Sequence, residues 1–222
     1  MNKKIEIRFK NQANSKTFKN LTKLFNLNNK SVLDIGCSYG EHLIHFGEQS
    51  MGVTISEDEV RYGRSRGLNI KYGNIESDDL NIKNRFDVIF ANNILEHLYS
   101  PHIFLCKIKK YLNKDGILIL GVPCAPSIKL LMHIKKFRGS LAVAHINFFT
   151  KYTLFKTVER SGWEIMDIRG FRIKNKIFDK FLNPIYPHLY VIAKVDKNFD
   201  YREKRMKELI GEIISSSPSP SH

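Results

Sequence analysis

The chain has 222 residues, 42% of them hydrophobic, enough for one sizeable core and too few for two ordinary domains. Its 36 Lys and Arg against 22 Asp and Glu give a net charge of +14. That charge would favour binding to RNA or to an anionic lipid surface, or it serves only to keep the protein surface soluble.

No CxxC pair indicates a disulfide framework or a zinc knuckle, and no apolar run is long enough to span a bilayer. With no apolar signal core at the N-terminus either, we expect a cytoplasmic protein.

The N-terminal segment, residues 1–29, is basic and should be helical. Residues 1–30 hold eight Lys and Arg and one acid, so half of the net charge lies there. Phe18, Leu21, Leu24 and Phe25 recur at helical spacing, which predicts an amphipathic helix over 16–27 that packs on the neighbouring part of the chain.

From residue 30 to 123, strand-like and helix-like segments alternate. The strand-like segments are SVLDIG, MGVTIS, LNIKYGNI, RFDVIFANNIL and GILILGVP. Helices are predicted over 41–49, 56–67 and 101–112, with Ser56 and Glu59 at capping-box spacing and a turn at 114–116. This alternation is typical of a doubly wound, mostly parallel sheet with helices on both faces.

The second part of the chain has a different pattern. Residues 124–149 predict a substrate loop with a short basic helix, KLLMHIKKF, followed by a helix that Thr150 caps. Two further strands, WEIMDIRGF and HLYVIAKV, flank a hairpin insertion at 171–188, which gives seven strands and a domain over 30–196. Residues 197–222 should form a C-terminal helix and a disordered tail.

The stretch VLDIGCSYGEHL is the most informative part of the sequence about a ligand-binding site. A strand that ends in Asp34 runs into a turn with Gly36 and Gly40 and then into a predicted helix. Such a turn lets the backbone approach a ligand closely, and nucleotide-type ligands bind at the carboxyl edge of such sheets.

VLDIGCSYG resembles motif I of class I S-adenosylmethionine-dependent methyltransferases, which have a Rossmann-like fold with an antiparallel last strand. FDVIFANNILEHLYSP and YLNKDGILILGVP resemble the family's segments around strands four and five. HINFFTKYTLFKTVERSGWEI resembles the H-x-x-x-FT segment of the branch that includes ubiquinone-biosynthesis O-methyltransferases. The matches occur in the family's order over about residues 30–195.

The resemblance implies S-adenosyl-L-methionine as cofactor. Asp34, Gly36 and Gly40, with the backbone of Cys37 and Ser38, would hold its methionine part. The other residues implied to contact the cofactor are Thr54 and Ile55 after strand two, Asn74, Ile75 and Glu76 facing adenine, and Asn92 and Leu95 after strand four.

Two positions depart from the family pattern. Thr54 stands where the family usually has an acid that holds the ribose hydroxyls, and a hydroxyl cannot match a carboxylate's charge-assisted hydrogen bonds. Ser38 replaces the middle glycine of the turn, a mild change if its φ is negative.

His145 and His97 are the candidate catalytic residues, because an imidazole accepts a proton near neutral pH. For each, the alternative is a structural role in its loop. Some relatives hold a divalent metal through E-x-x-E-H at this loop, but here Asn93 replaces the first carboxylate, so no catalytic metal is expected.

The leading hypothesis is methyl transfer to an oxygen or carbon of a small-molecule acceptor, such as a quinone-like, lipid or glycan precursor. The alternatives are an RNA methyltransferase, favoured by the charge, and a non-catalytic binding protein, favoured by Thr54 and Ser38.

Overall fold

The computed structural model describes residues 3–76, 80–134, 137 and 141–199. Its helices are α1 (Lys3–Ala13), α2 (Lys16–Phe25), α3 (Glu57–Ser65), α4 (Pro101–Ile108), α5 (Lys151–Glu159) and α6 (Lys176–Phe181). Its strands are β1 (Val32–Ile35), β2 (Met51–Thr54), β3 (Ile70–Tyr72), β4 (Phe86–Asn92), β5 (Leu112–Pro123), β6 (Trp163–Arg169) and β7 (His188–Val195).

The strands form one seven-stranded sheet in the order β3-β2-β1-β4-β5-β7-β6. Neighbouring strands from β3 to β5 are parallel, whereas β7 is antiparallel to both β5 and β6. The predicted doubly wound, mostly parallel sheet with an antiparallel last strand is confirmed.

The two faces of the sheet carry separate hydrophobic clusters. One contains Phe104 of α4 and Leu154 of α5, and the other contains Phe18 and Leu21 of α2 and Val60 of α3. Helices therefore cover both faces, as predicted. No helix within the described ranges combines the length and the apolar composition that crossing a membrane requires.

The predicted helix over 41–49 is wrong. Only a 3-10 turn, Leu43–His45, forms there, and Phe46 then adopts an extended backbone. The backbone N–H of Gly47 donates to the carbonyls of Leu27 and Lys30, which ties the segment to the end of the N-terminal region instead of to a helical turn.

Helix α2 covers the sheet where that helix was expected. Its Phe18 ring lies 4.2 Å from the His42 ring and 5.8 Å from the rings of Phe46 and Phe90. The predicted N-terminal amphipathic helix is thus confirmed, and α1 precedes it within the segment 1–29 that was expected to be helical. The division of the chain at residues 29 and 196 stays a prediction, although α2 shares the core of the sheet.

Three smaller expectations also differ from the structure. The predicted turn at 114–116 is an irregularity within β5, where the pairing with β4 jumps from Leu112 to Ile117. The basic helix in the substrate loop is a 3-10 segment, Lys129–His133, and the hairpin insertion contains α6. The predicted C-terminal helix and tail from residue 200 onward lie outside the described residues.

We expect α2 to be essential to stability through its buried face. Leu21 is fully buried, whereas Leu24 on the same helix is 56% exposed. Leu21→Ala should lower the free energy of unfolding by about 2–5 kcal/mol, because it leaves a cavity in the core. Leu24→Ala should change it by less than about 0.5 kcal/mol. Urea unfolding followed by circular dichroism measures both, and equal losses would mean that α2 is not docked on the sheet through Leu21.

Candidate functional site

A cleft of about 750 Å³ opens at the carboxyl ends of β1, β2 and β4. This size suits a nucleotide-like ligand. All the residues predicted to contact the cofactor line it except Gly40 and Leu95: Asp34, Gly36, Cys37, Ser38, Thr54, Ile55, Asn74, Ile75, Glu76 and Asn92. Leu95 is fully buried in the core, and Gly40 is buried beneath the turn.

The turn after β1 depends on left-handed backbone. Gly36 has a φ of +77° and Gly40 a φ of +85°, and a Cβ added at Gly40 would lie 2.7 Å from the Leu68 side chain. Ser38 has a φ of +51°, so the condition under which replacing the glycine would be a mild change is not met. The backbone of Ser38 is strained, and its hydroxyl compensates by donating to Glu59 Oε1 at 3.0 Å.

Two buried acids line the cleft. Asp34 is 1% exposed and Glu41 4%. Burial, and then the nearby Glu41 charge, raise the pKa of Asp34 well above its usual value; burial also raises the pKa of Glu41, although Arg8 opposes this. Within the described part of the chain, Asp34 Oδ2 has no hydrogen-bond partner. The cleft therefore favours a cationic group.

Helix α1 lies over the mouth of the cleft, where Arg8 and Gln12 line it. Arg8 donates to the Ser38 hydroxyl at 2.9 Å, and its Nε lies 3.5 Å from Glu41 Oε1. The sequence did not single out either residue, although both lie in the segment 1–29 that was expected to be helical.

A carboxylate does stand beside Thr54. The Thr54 hydroxyl donates to Glu59 Oε2, and Glu59, in the first turn of α3, lines the cleft. Ser56 caps α3 by accepting from the backbone N–H of Glu59, but the Glu59 side chain turns to Thr54 and Ser38. The capping box is therefore only half formed, and the acid missing at the end of β2 is supplied from α3.

The loop after β3 closes another side of the cleft. Asn74 accepts from the backbone N–H of Glu76 at 3.0 Å, and Glu76 accepts from the backbone N–H of Ser100 at 3.2 Å. Ile75 between them is 5% exposed. The segment is thus held by polar contacts on both sides of one apolar residue.

The two candidate catalytic histidines meet at a buried acid. The Nε2 atoms of His97 and His145 lie 3.8 Å and 4.0 Å from Glu96 Oε1. Glu96 is 1% exposed, and burial raises its pKa to about 7, although the nearby His97 opposes this rise. The sequence comparison placed Glu96 in the run that corresponds to E-x-x-E-H, but it assigned Glu96 no role because Asn93 replaces the first carboxylate.

These three side chains adjoin the cleft, where His97, Ala144 and Ile146 form its wall. Their ligand atoms lie within 4.8 Å of one another, so the group could hold a metal ion. The expectation of no metal rests on Asn93 alone, whereas His145 lies 52 residues beyond it and outside the local motif. The Asn93 side chain instead forms a hydrogen bond of 2.8 Å with His188.

Comparison with known proteins agrees with this geometry. The family model described as "Methyltransferase domain" matches residues 9–168. The ubiquinone biosynthesis O-methyltransferase of Glaesserella parasuis is 31% identical over 105 residues, 41% of this chain and 44% of that protein. The (S)-coclaurine N-methyltransferase of Papaver somniferum is 30% identical over 43% of this chain and 30% of its own length. The chain spans about half the length of the curated relatives it matches.

Solved structures share the fold at low identity. An S-adenosylmethionine-dependent methyltransferase from Clostridium acetobutylicum superposes with a TM-score of 0.62 at 14% identity, covering 83% of this chain and 94% of its own. A methyltransferase from Archaeoglobus fulgidus superposes with a TM-score of 0.60 at 18% identity, covering 81% and 94%. The family model matches well over half of this chain. The chain therefore belongs to the methyltransferase-domain family, whose cofactor is S-adenosylmethionine.

Proposed function

We propose that this chain transfers the methyl group of S-adenosylmethionine to a hydroxyl oxygen of a small-molecule acceptor. The observation that carries the proposal is the adjacency of two features: an acidic cleft suited to the donor, and the Glu96, His97 and His145 cluster beside it. Ubiquinone biosynthesis O-methyltransferases among the relatives favour a quinone-like precursor as the acceptor.

The donor end of the cleft matches the charges of S-adenosylmethionine. Its sulfonium and ammonium groups are cationic, and such groups would stabilise the ionised forms of the buried acids Asp34 and Glu41. Arg8 at the mouth is the cation that would meet the donor's carboxylate.

Glu59 is proposed as the carboxylate that accepts from the ribose hydroxyls. It lies beside Thr54 at the end of β2 and lines the cleft. A charged acceptor beside the hydroxyl argues against the non-catalytic hypothesis, which Thr54 and Ser38 together had suggested.

Methyl transfer needs alignment and one proton acceptor. The acceptor oxygen attacks the methyl carbon in line with the carbon–sulfur bond, and the bonding electron pair remains on sulfur, which becomes the neutral thioether of S-adenosylhomocysteine. The acceptor hydroxyl must lose its proton, and the Glu96, His97 and His145 cluster is proposed to activate it. RNA and anionic lipid surfaces stay predictions that the charge alone supports.

The proposed role of Glu59 is tested by binding of S-adenosylhomocysteine. Glu59→Gln should weaken binding roughly 10–100-fold, since a hydrogen bond to a charged group contributes about 1.5–3 kcal/mol. Glu57→Gln, the same change on an exposed residue of the same helical turn, is the matched control and should bind as the parent does. Isothermal titration calorimetry measures both, and equal affinities for the two variants would refute the assignment.

The role of the cluster is tested by separating turnover from donor binding. His145→Asn should reduce methyl transfer by about 10²–10⁴-fold, as loss of acid–base assistance does, and leave S-adenosylhomocysteine affinity unchanged. Hydroquinones and catechols serve as probe acceptors, with release of S-adenosylhomocysteine as the readout. His133→Asn, on an exposed histidine outside the cluster, is the control. If turnover of His145→Asn equalled that of the control, His145 would have no part in catalysis.

A further inference from the structure

We infer that Glu96, His97 and His145 form a binding site for one divalent transition-metal ion of the zinc class. The inference stands on the geometry of these three side chains. Only its catalytic consequence rests on the proposed function.

The first argument is the state of the Glu96 carboxyl group. Its side chain is 1% exposed, and neither of its oxygens has a hydrogen-bond partner among the described residues. A buried carboxylate without partners is costly, and such groups are normally paired with a cation or coordinated to a metal. A metal ion between Glu96 and the two imidazoles would provide that missing partner.

The second argument is the orientation of the His97 imidazole. His97 Nδ1 lies 3.0 Å from the carbonyl oxygen of Ala144. A carbonyl only accepts, so Nδ1 carries the proton and the Nε2 lone pair is directed to the cluster. Such a second contact, from the ring nitrogen that does not bind the metal, is the usual way in which proteins orient metal-binding histidines.

The third argument is that the backbone holds the three residues together without a ligand. The N–H groups of Ile146 and Asn147 both donate to the Glu96 carbonyl at 3.0 Å, and the Asn147 amide donates to the Leu98 carbonyl at 2.6 Å. These contacts fasten the loop that carries His145 to the 3-10 turn Leu95–His97. The ligand set is therefore preorganised, although its members come from distant parts of the chain.

The ligand types indicate the class of metal. Two imidazoles and one carboxylate suit Zn²⁺ and neighbouring transition metals, whereas Ca²⁺ and Mg²⁺ prefer oxygen ligands. Tetrahedral bonds of about 2.0–2.1 Å would place ligand atoms about 3.4 Å apart. The ligand atoms lie within 4.8 Å of one another, with separations of 3.8 Å and 4.0 Å from Glu96 Oε1, so they would have to approach one another to bind the ion.

Three protein ligands leave a fourth position open, as in catalytic zinc sites. Of the three cluster residues, His97 lines the cleft, and its side chain is 40% exposed. The open position would therefore be reached from the cleft, where the acceptor would bind. If the proposed function holds, an acceptor hydroxyl at that position would have a lowered pKa and would release its proton to solvent.

The test uses the full chain without a histidine tag, stripped with EDTA and titrated with Zn²⁺ and Co²⁺. We expect one equivalent of Zn²⁺ to bind and Co²⁺ to develop visible absorption bands. Glu96→Gln and His145→Asn should each weaken Zn²⁺ binding by at least about a hundredfold, since loss of outer contacts alone costs about 10–100-fold. His133→Asn is the control and should bind Zn²⁺ as the parent does.

Hydrogen exchange gives a second readout that does not depend on affinity. Bound Zn²⁺ should slow exchange of the Ile146 and Asn147 amides, because it ties their loop to Glu96. The slowing should be absent in Glu96→Gln. Retained binding of S-adenosylhomocysteine shows that each variant is folded.

The outcomes separate this inference from the proposed function. Zn²⁺ binding that is absent, or equal in the parent and Glu96→Gln, would overturn the metal site even if the EDTA-treated protein still methylates its acceptor. In that case the imidazoles act directly as bases. Stoichiometric Zn²⁺ binding lost in Glu96→Gln would support the site even if S-adenosylhomocysteine failed to bind, a result that would instead overturn the proposed function.

Discussion

The connections of the sheet leave β1 toward one edge, through β2 and β3, and leave β4 toward the other, through β5. At such a reversal the loops that follow the two central strands diverge, so a crevice opens between them at the carboxyl edge. The turn at Gly36–Gly40 follows β1, and the loop of Asn92–His97 follows β4. The groups proposed to bind a ligand lie in these two loops or line the cleft between them.

The crevice concentrates buried acidic groups, and the ion pair between Arg8 and Glu41 compensates only one of them. Asp34, Glu41 and Glu96 are each less than 5% exposed, and each has at least one oxygen without a hydrogen-bond partner among the described residues. Such groups cost stability in the empty protein. Their number at one edge of the sheet is readily explained if cations occupy that edge, namely the donor's ammonium and sulfonium groups on one side and a metal on the other.

The features that the sequence predicted correctly are those that depend on the local pattern of residues. Alternating apolar segments indicated the strands, and motif-like residues such as Asp34 and Asn92 fall in the cleft because strand ends meet at one edge. What the sequence did not reveal depends on contacts between distant segments. The helix over 41–49 fails because α2 already covers that face. Glu59 had a plausible local role as a cap, and its contact with Thr54 is visible only once α3 is placed against β2. The meeting of His145 with Glu96 depends on backbone hydrogen bonds across about 50 residues.

The position of β7 has a consequence for the order of folding. Residues 188–195 pair with β5 on one side and β6 on the other, so β5 and β6 have no direct contact in the sheet. During synthesis, β6 emerges before the strand that joins it to the rest, and it must wait for β7 to separate from the ribosome. Until then the edge of β5 offers unpaired backbone groups along an apolar strand, which is an aggregation hazard. A chain truncated before residue 188 would keep the donor cleft's residues yet present that open edge permanently.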